Sequence, residues 1–523
     1  MKKLLLLLTL WICAAPLRTQ PAHSAHVFFR IQVSRSVAAP VSGRLLIFVK
    51  QGSGDQSVDN DPFHSEAAWV TARDVQDAAP GSSIEVDADE TAYPKPFSSM
   101  PAGDYEAQAV LDVAHRYNYE GRVPEDWMSG VNALAHWSPA TGAEPSLILD
   151  RHPQANAHLV AVLEKAMAKV RPGVAQKEEF ESALLTRFWG HPVSLRAWVI
   201  LPPGYDANPH QRYPTVYWTH GFGGNLAYSL TSGMVIRERM EQGKMPPMIW
   251  VMLDESLPEG THEFADSVNN GPWGAALTAE FLPYLERKYR MESRRDGRFL
   301  NGHSSGGWAT LQLEINYPRV FGGTWSTSPD PSDFHDFTGP DLYAPNANLY
   351  RKPDGTAWPI IRDGGKVIAT FEQFARLETV LGPYGGQISS FDWVFSPKGD
   401  SGAPEPMFDR QTGAVNPKVV AYWREHYDLA HIVESNWSTR GADLKGRIHL
   451  IVGTADTFYL DGAAHKFEAV LNRLGAQPHF SYLPDKTHFD LYAVGQDQEA
   501  LFDRIGAEMY AVAKPKSQWK AKP

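Results

Sequence analysis

The sequence predicts an α/β protein, with a mostly parallel sheet flanked by helices, preceded by a separate all-β domain. Two observations lead to this fold class. From about residue 186 onward, strand patterns rich in β-branched and aromatic residues alternate with helical patterns, which is typical of parallel sheets. Before residue 155, short strands with alternating apolar residues are separated by turns of Gly, Pro and Asp.

The N-terminal strands are short and closely spaced. Alternating apolar residues occur at Val27, Phe29, Ile31 and Val33. A second alternating run covers residues 105–113, and residues 45–49 form a continuous apolar run. We therefore expect an immunoglobulin-like β-sandwich over residues 26–155, which could bind a glycan, complete the rim of an active site or serve only for packing. A helical linker is expected over residues 156–185, and the α/β domain over residues 186–523.

The most informative motif is a G-x-S-x-G formed by Gly302, His303, Ser304, Ser305 and Gly306. A strand pattern at residues 296–301 precedes it, and a helical pattern at residues 305–317 follows it. A strand, a turn and a helix in this order form a nucleophile elbow, in which the serine stands on a strained turn clear of the backbone. We therefore predict Ser304 as a catalytic nucleophile.

A serine nucleophile requires hydrogen-bond donors for the oxyanion, a base and an acid. The strand pattern at residues 213–219 runs into His-Gly-Phe-Gly-Gly at residues 220–224, a loop similar to those that lend a backbone N–H to the oxyanion. We expect the amides of Phe222 and Ser305 to form the oxyanion hole. His220 precedes the nucleophile in the chain, so we expect it to hold the loop rather than to act as the base.

The acid and the base are expected after the ends of later strands. Asp456 follows a strand pattern at residues 447–452, and His488 follows one at residues 479–483. We predict these two as the remaining catalytic residues. The competing acids, each with a surface or capping role as the alternative, are Asp461, Asp485 and Asp490.

Residues 330–440 exceed what the core fold requires, and we expect this insertion to form a lid over the site, with Phe334 and Tyr343 facing the substrate. Two helical stripes are expected in it, one through Val367, Phe371, Phe374 and Leu381 and one through Val420, Trp423 and Tyr427. The insertion begins with the aspartates Asp330, Asp333, Asp336 and Asp341. Because they lack the spacing and the glycine of an EF-hand loop, we expect solvated or capping roles, and no metal or cofactor.

Taken together, the motifs resemble those of the Putative esterase family of α/β-hydrolases, which includes enterochelin esterases, feruloyl and acetyl-xylan esterases, esterase D and the mycolyltransferases. The resemblance covers about the last 340 residues. Besides the elbow and the late histidine, it rests on Leu-Pro-Pro-Gly-Tyr-Asp at residues 201–206 and on Tyr213-Pro214. It implies an α/β-hydrolase fold with Ser304 as nucleophile, His488 as general base and Asp456 as acid. Ser305 stands where family members often have a bulky residue, which implies an altered acyl pocket.

Composition limits the partners and the compartment. The net charge of −11 argues against nucleic acid or an anionic membrane as a partner. Residues 1–25 combine two lysines, an apolar stretch and small residues, which is typical of a secretory signal peptide. The only cysteine, Cys13, lies within it, so no disulfide is expected in the mature protein. No later apolar run is long enough for a membrane span, so a periplasmic or secreted protein is expected.

The function that these residues predict is a secreted serine carboxylesterase, which hydrolyses a small-molecule or glycan-linked ester through an acyl-enzyme on Ser304. An acyltransferase with the same Ser-Asp-His triad and a catalytically silent glycan-binding protein are the alternatives. The acyl group, the alcohol and the oligomeric state stay open.

Overall fold

The computed structural model describes residues 26–522, and the predicted signal peptide lies outside this range. Within it, the N-terminal part (residues 26–155) is built from β-strands, and the rest surrounds one eight-stranded sheet. No helix between residues 26 and 522 combines the length and the apolar composition that crossing a membrane requires.

Two sheets share one core in the N-terminal part. In the first sheet the strand order is Ser83–Asp87, Phe28–Val33 and Ser146–Leu149. In the second it is Ala92–Tyr93, Ala68–Ala78, Val41–Gln51, Gly103–Asp112 and Trp127–Met128, and Asn132–Trp137 also pairs with Gly103–Asp112. Phe29 and Ile31 of the predicted alternating run are fully buried between the sheets. The immunoglobulin-like class of this part stays a prediction.

The strand Gly103–Asp112 is buried on both faces, whereas its alternating pattern indicates one exposed face. One face contributes to the shared core of the two sheets. On the other face, Val110 and the neighbouring Leu46 pack against Leu377 and Leu381 of the insertion. An apolar interface therefore joins the N-terminal part to the insertion.

The segment predicted as a helical linker, residues 156–185, has the helix Ala157–Met167 but also the strand Ala175–Glu181. This strand pairs antiparallel with Ser194–Ile200 and forms one edge of the eight-stranded sheet. Its Lys- and Glu-rich sequence resembles a solvated segment because charged side chains are common on edge strands. The large sheet therefore begins before the predicted boundary at residue 186.

The eight-stranded sheet places the ends of its parallel strands at one edge. Its strand order is Ala175–Glu181, Ser194–Ile200, Ile249–Leu253, Thr215–Thr219, Arg298–His303, Thr324–Thr327, Ile448–Gly453 and His479–Leu483. The first two pairings are antiparallel, and the others are parallel. The central strands are buried on both faces, as strands between two helical layers are.

Helices cover both faces of this sheet and form the insertion. Outside the insertion they are Ala157–Met167, Ala183–Trp189, Leu226–Gln242, Trp273–Ala276, Leu282–Lys288, Ser305–Asn316, Leu460–Arg473 and Ala500–Ala513. The insertion has the hairpin Pro359–Asp363 and Lys366–Thr370, followed by the helices Phe371–Leu381, Gln387–Phe395, Pro417–His426 and Leu429–Leu444. The N-terminal part adds the short helix Tyr117–Glu120.

The first helix predicted in the insertion, with apolar residues from Val367 to Leu381, starts later in the structure than the pattern indicates. Val367 lies in the hairpin and is exposed, while the helix starts at Phe371. Thr370 and Gln373 form a capping box, which fixes the start of the helix after Val367. In the second stripe, Val420 and Trp423 are helical and buried as predicted.

Candidate active site

Ser304 stands on a strained turn between a central strand and a helix. The strand Arg298–His303 ends directly before it, and the helix Ser305–Asn316 starts directly after it. Its backbone has φ 60° and ψ −126°, a conformation that residues other than glycine rarely adopt. The turn that the motif predicts is therefore present, although the strand begins two positions later than its pattern indicates.

The glycines around Ser304 allow backbone segments to approach one another. A Cβ atom on Gly302 would lie 2.1 Å from the carbonyl oxygen of Gly306, and one on Gly306 would lie 2.2 Å from that of His220. A Cβ atom on Gly221 would lie 2.9 Å from Cβ of Ser304. Side chains at these positions would push apart the strand, the helix and the loop that begins at His220.

His488 and Asp456 form a buried pair after the ends of two neighbouring strands. His488 Nδ1 lies 2.9 Å from Asp456 Oδ2, and the two residues are 5% and 0% exposed. Burial alone would raise the pKa of Asp456, but the facing imidazole and the hydrogen bonds to the carboxylate lower it below its usual value. The carboxylate is thus held ionised and orients the ring. Among the described residues, Ser304 Oγ makes no hydrogen bond to His488.

The competing acids have other partners. Asp461 accepts a hydrogen bond from Nη2 of Arg362 at 2.8 Å. Asp490 accepts one from the backbone amide of Thr487 at 2.7 Å. Asp485 is exposed and contacts Thr454 through its own backbone N–H.

The Gly-rich loop (residues 220–225) passes directly beside Ser304. His220 is fully buried, and its Nδ1 donates to the carbonyl of Gly221 at 2.8 Å. Because this carbonyl shares a peptide unit with the Phe222 amide, the bond also sets the direction of that N–H. In the chain from residue 26 to residue 522, neither the Phe222 amide nor the Ser305 amide has a hydrogen-bond acceptor. Both amides are therefore available to a ligand.

The prediction of a solvated or capping role is wrong for Asp330, which is buried. It is 6% exposed, and its Oδ2 accepts a hydrogen bond from Ser305 Oγ at 2.6 Å. Burial raises the pKa of Asp330 to about 6. The other three aspartates do accept backbone N–H groups in their own loops, namely those of His335, Gly339 and Tyr343.

A cavity of about 380 Å³ opens at Ser304, and three parts of the chain line it. The Gly-rich loop and the strand ends contribute Phe222, Ser304, Phe458 and Leu460. The insertion contributes Asp330, Phe337, Phe371, Phe374, Ile388 and Phe391, among others. The N-terminal part contributes Asn60, Phe63, Tyr117 and Asn118. The lining is mostly apolar.

The two aromatic residues expected to face the substrate do not line this cavity. Phe334 is fully buried in the core of the insertion. Tyr343 donates its hydroxyl to Asp428 at 2.7 Å and lines a different depression. The sequence shows that Phe334 and Tyr343 are aromatic residues of the insertion, but it does not show whether an aromatic side chain lies in the core or at the cavity. The N-terminal residues at the cavity carry no sequence signal, because they are far from the catalytic motifs in the chain.

The profile of the family described as Putative esterase matches residues 193–504. The chain belongs to this family. Membership confirms the family that the motifs resemble, and it assigns the matched residues to the α/β-hydrolase fold and to serine hydrolases that act on ester bonds.

Individual relatives of this esterase-family chain match shorter stretches. Esterase Rv1288 of Mycobacterium tuberculosis is 31% identical over 145 residues, which cover 27% of this chain and 30% of that protein. An endo-1,4-beta-xylanase/feruloyl esterase of Xylanibacter ruminicola is 25% identical over 130 residues, 24% of this chain and 18% of that protein. The matched region thus spans less than a third of these relatives.

Solved structures similar to this chain include a ferulic acid esterase, with a TM-score of 0.39 and 16% identity, covering 65% of this chain and 97% of that one. An S-formylglutathione hydrolase from Agrobacterium tumefaciens has a TM-score of 0.38 and 13% identity, covering 66% of this chain and 97% of that one.

Replacing Asp456 by Asn should lower the turnover of an ester by about four orders of magnitude, because the amide stabilises the wrong tautomer of His488 and cannot stabilise an imidazolium. Steady-state kinetics with a p-nitrophenyl ester measures this effect. The matched controls Asp461→Asn and Asp485→Asn should stay within about three-fold of wild type. Near-normal turnover of Asp456→Asn would assign the acid role elsewhere.

Replacing Asp330 by Asn should stabilise the protein at high pH only. The folded-state pKa of about 6 lies above the unfolded value of 3.8, so ionisation of Asp330 destabilises the fold as pH rises, while below about pH 3 the carboxyl is neutral in both states. At about pH 8 we expect a gain of roughly 2–3 kcal/mol over wild type, which vanishes near about pH 3. Urea unfolding at both pH values tests this, and a gain independent of pH would contradict the assignment.

Proposed function

We propose that this protein is a serine carboxylesterase in which Ser304 is the nucleophile, His488 the general base and Asp456 the acid. One observation carries the proposal: Ser304 stands on a strained turn directly after His303, whose ring centroid lies 4.4 Å from that of His488 in the buried Asp–His pair. The order of these residues along the chain, nucleophile before acid before base, is that of α/β-hydrolases and supports the proposal.

The proposed reaction proceeds through an acyl-enzyme. Ser304 Oγ attacks the carbonyl carbon of the ester while His488 Nε2 takes the hydroxyl proton, and the Phe222 and Ser305 amides stabilise the negative oxygen. The tetrahedral intermediate collapses, the alcohol leaves with the proton from His488, and the acyl group stays on Ser304. Water then attacks with the help of His488 and releases the acid. With an alcohol in place of water, the same steps would give acyl transfer.

The proposed substrate carries a bulky apolar group. The cavity is lined mainly by phenylalanine, isoleucine and leucine side chains, so burial of an apolar acyl or alcohol group would stabilise the complex. An acetyl group alone would leave most of the cavity unfilled. In this proposal the insertion acts as a lid, and the N-terminal part, interpreted as an immunoglobulin-like domain over residues 26–155, completes the wall of the cavity.

The proposal includes secretion to the periplasm or the medium. It rests on residues 1–25, whose charged start, apolar stretch and small residues are those of a signal peptide.

Replacing Ser304 by Ala should lower turnover by about four orders of magnitude or more, because the triad acts as a unit. The matched control is Ser305→Ala, which keeps the backbone amide and loses only a hydroxyl. It should stay within about ten-fold of wild type. Circular dichroism and steady-state kinetics on a p-nitrophenyl ester provide the comparison. An active Ser304→Ala variant that keeps its fold would refute the proposal.

Replacing Phe374 by Ala should impair long esters selectively. Phe374 is partly buried and lines the cavity, so its loss removes binding energy only for substrates that reach it. We expect kcat/KM for p-nitrophenyl octanoate to fall by about ten-fold and that for p-nitrophenyl acetate by less than about two-fold. The matched control is Phe480→Ala, which changes a partly buried phenylalanine outside the cavity. Equal losses on both esters would show that Phe374 is only structural.

A further inference from the structure

A buried tyrosine of the N-terminal part contacts the Gly-rich loop. Tyr119 lies in the short helix Tyr117–Glu120 and is 8% exposed. Its hydroxyl donates to the carbonyl of Gly224 at 2.7 Å. Its ring packs edge-on against that of Phe222, with centroids 4.9 Å apart. Tyr119 therefore contacts Phe222, whose amide is proposed to bind the oxyanion, and also the carbonyl of Gly224, two residues later.

The Gly-rich loop is held by one internal backbone hydrogen bond, from the Gly224 N–H to the carbonyl of Gly221 at 3.1 Å, and by the side chains of His220 and Tyr119. Glycines flank Phe222 on both sides, and Gly223 has φ 79°, so the intrinsic backbone preferences of the loop are weak. His220 holds the carbonyl of Gly221 on one side of Phe222. On the other side, Tyr119 is the hydrogen-bond donor to the carbonyl of Gly224 among the described residues. The two bonds fix the loop from opposite ends.

The helix that carries Tyr119 is itself firmly held. The Asp112 carboxylate accepts the backbone amides of Arg116 and Tyr117 at 3.0 and 3.1 Å. Asn118 Nδ2 donates to the carbonyl of Gly382, just after the insertion helix Phe371–Leu381, at 2.9 Å. These contacts join the helix to the strand before it and to the insertion, so the hydroxyl of Tyr119 has a defined position.

The C-terminal end of the insertion helix Phe371–Leu381 is also held by Arg44, a buried cation of the N-terminal part. Nε and Nη2 of Arg44 donate to the carbonyl of Val380 at 3.0 and 2.8 Å. Carbonyl groups in the last turn of a helix lack partners within the helix, so a cation there is stabilising. The N-terminal part is thus anchored by polar contacts as well as by the apolar interface.

We propose that Tyr119 is a positioning residue of the esterase site, through which the N-terminal part fixes the Gly-rich loop and the Phe222 amide. Burial raises the pKa of the Tyr119 hydroxyl well above its usual value, so it stays a donor throughout the working pH range. The inference rests on the proposed function, since it assumes that the Phe222 amide stabilises an oxyanion. It predicts that the N-terminal part contributes to turnover as well as to the shape of the cavity.

The test compares Tyr119→Phe, which keeps the ring and loses the hydroxyl, with Tyr119→Leu, which loses both contacts. The matched control is Tyr105→Phe, because Tyr105 is also a buried tyrosine of the N-terminal part that donates to a backbone carbonyl, that of Pro101 at 2.8 Å, away from the cavity. Each full-length variant is assayed for kcat and KM with p-nitrophenyl butyrate and for thermal unfolding. Inhibition constants are measured for phenylboronic acid, which forms a tetrahedral adduct with a serine, and for benzamide, which stays planar.

If Tyr119 positions the loop, Tyr119→Phe should lower kcat by about 5- to 20-fold with KM nearly unchanged, and Tyr119→Leu by more. The affinity for phenylboronic acid should fall by a similar factor, while that for benzamide and all values of Tyr105→Phe stay near wild type. A lower melting temperature in Tyr119→Phe with unchanged kcat and boronate affinity would overturn the proposal and leave Tyr119 as a packing residue.

The positioning role of Tyr119 and the esterase function can be tested separately with these measurements. If wild type hydrolyses the ester and binds the boronate but the Tyr119 variants match it, only the positioning role is wrong. If wild type neither hydrolyses the ester nor binds the boronate, the esterase function and the role of Tyr119 are both overturned.

Discussion

The site depends on the close approach of three backbone segments around Ser304. The strand Arg298–His303, the helix Ser305–Asn316 and the Gly-rich loop meet where Gly221, Gly302 and Gly306 have no room for a Cβ atom. This packing holds Ser304 at a positive φ that it would otherwise avoid. The strained turn brings the serine side chain close to the Phe222 and Ser305 amides, for which residues 26–522 offer no acceptor. Everything else in the site is arranged around this turn.

The cavity beside Ser304 is shared by parts of the chain that are distant in sequence. The core sheet and its loops supply Ser304 and Phe222, the insertion supplies most of the apolar wall, and the N-terminal part supplies the remaining side. Tyr119 links this remaining side to the Gly-rich loop. Because the N-terminal part and the insertion also share buried apolar residues, movement of either one would change the cavity.

The sequence predicts the local structure around Ser304 better than it predicts the walls of the cavity. Ser304, Asp456 and His488 are predicted to lie close together because each follows a strand pattern, and parallel strands place their ends at one edge. Their catalytic roles stay a prediction. The strand Ala175–Glu181 is missed because its exposed edge carries Lys and Glu. Phe334 is expected at the substrate but lies in the core, and Asp330 is expected in a solvated or capping role but is buried. Long-range packing decides whether a side chain lies in the core, at the cavity or on the surface. No periodicity encodes that choice.

The most direct measurement for the central claim is the identity of the acylated residue. The wild-type protein is mixed with a p-nitrophenyl ester whose acyl-enzyme hydrolyses slowly, quenched in acid within the burst, digested and analysed by mass spectrometry. The account predicts one added acyl mass on the peptide that contains Ser304, localised by fragmentation to that residue, and no added mass on Ser305. A burst with the acyl group on another residue, or ester cleavage without any acylated peptide, would contradict it.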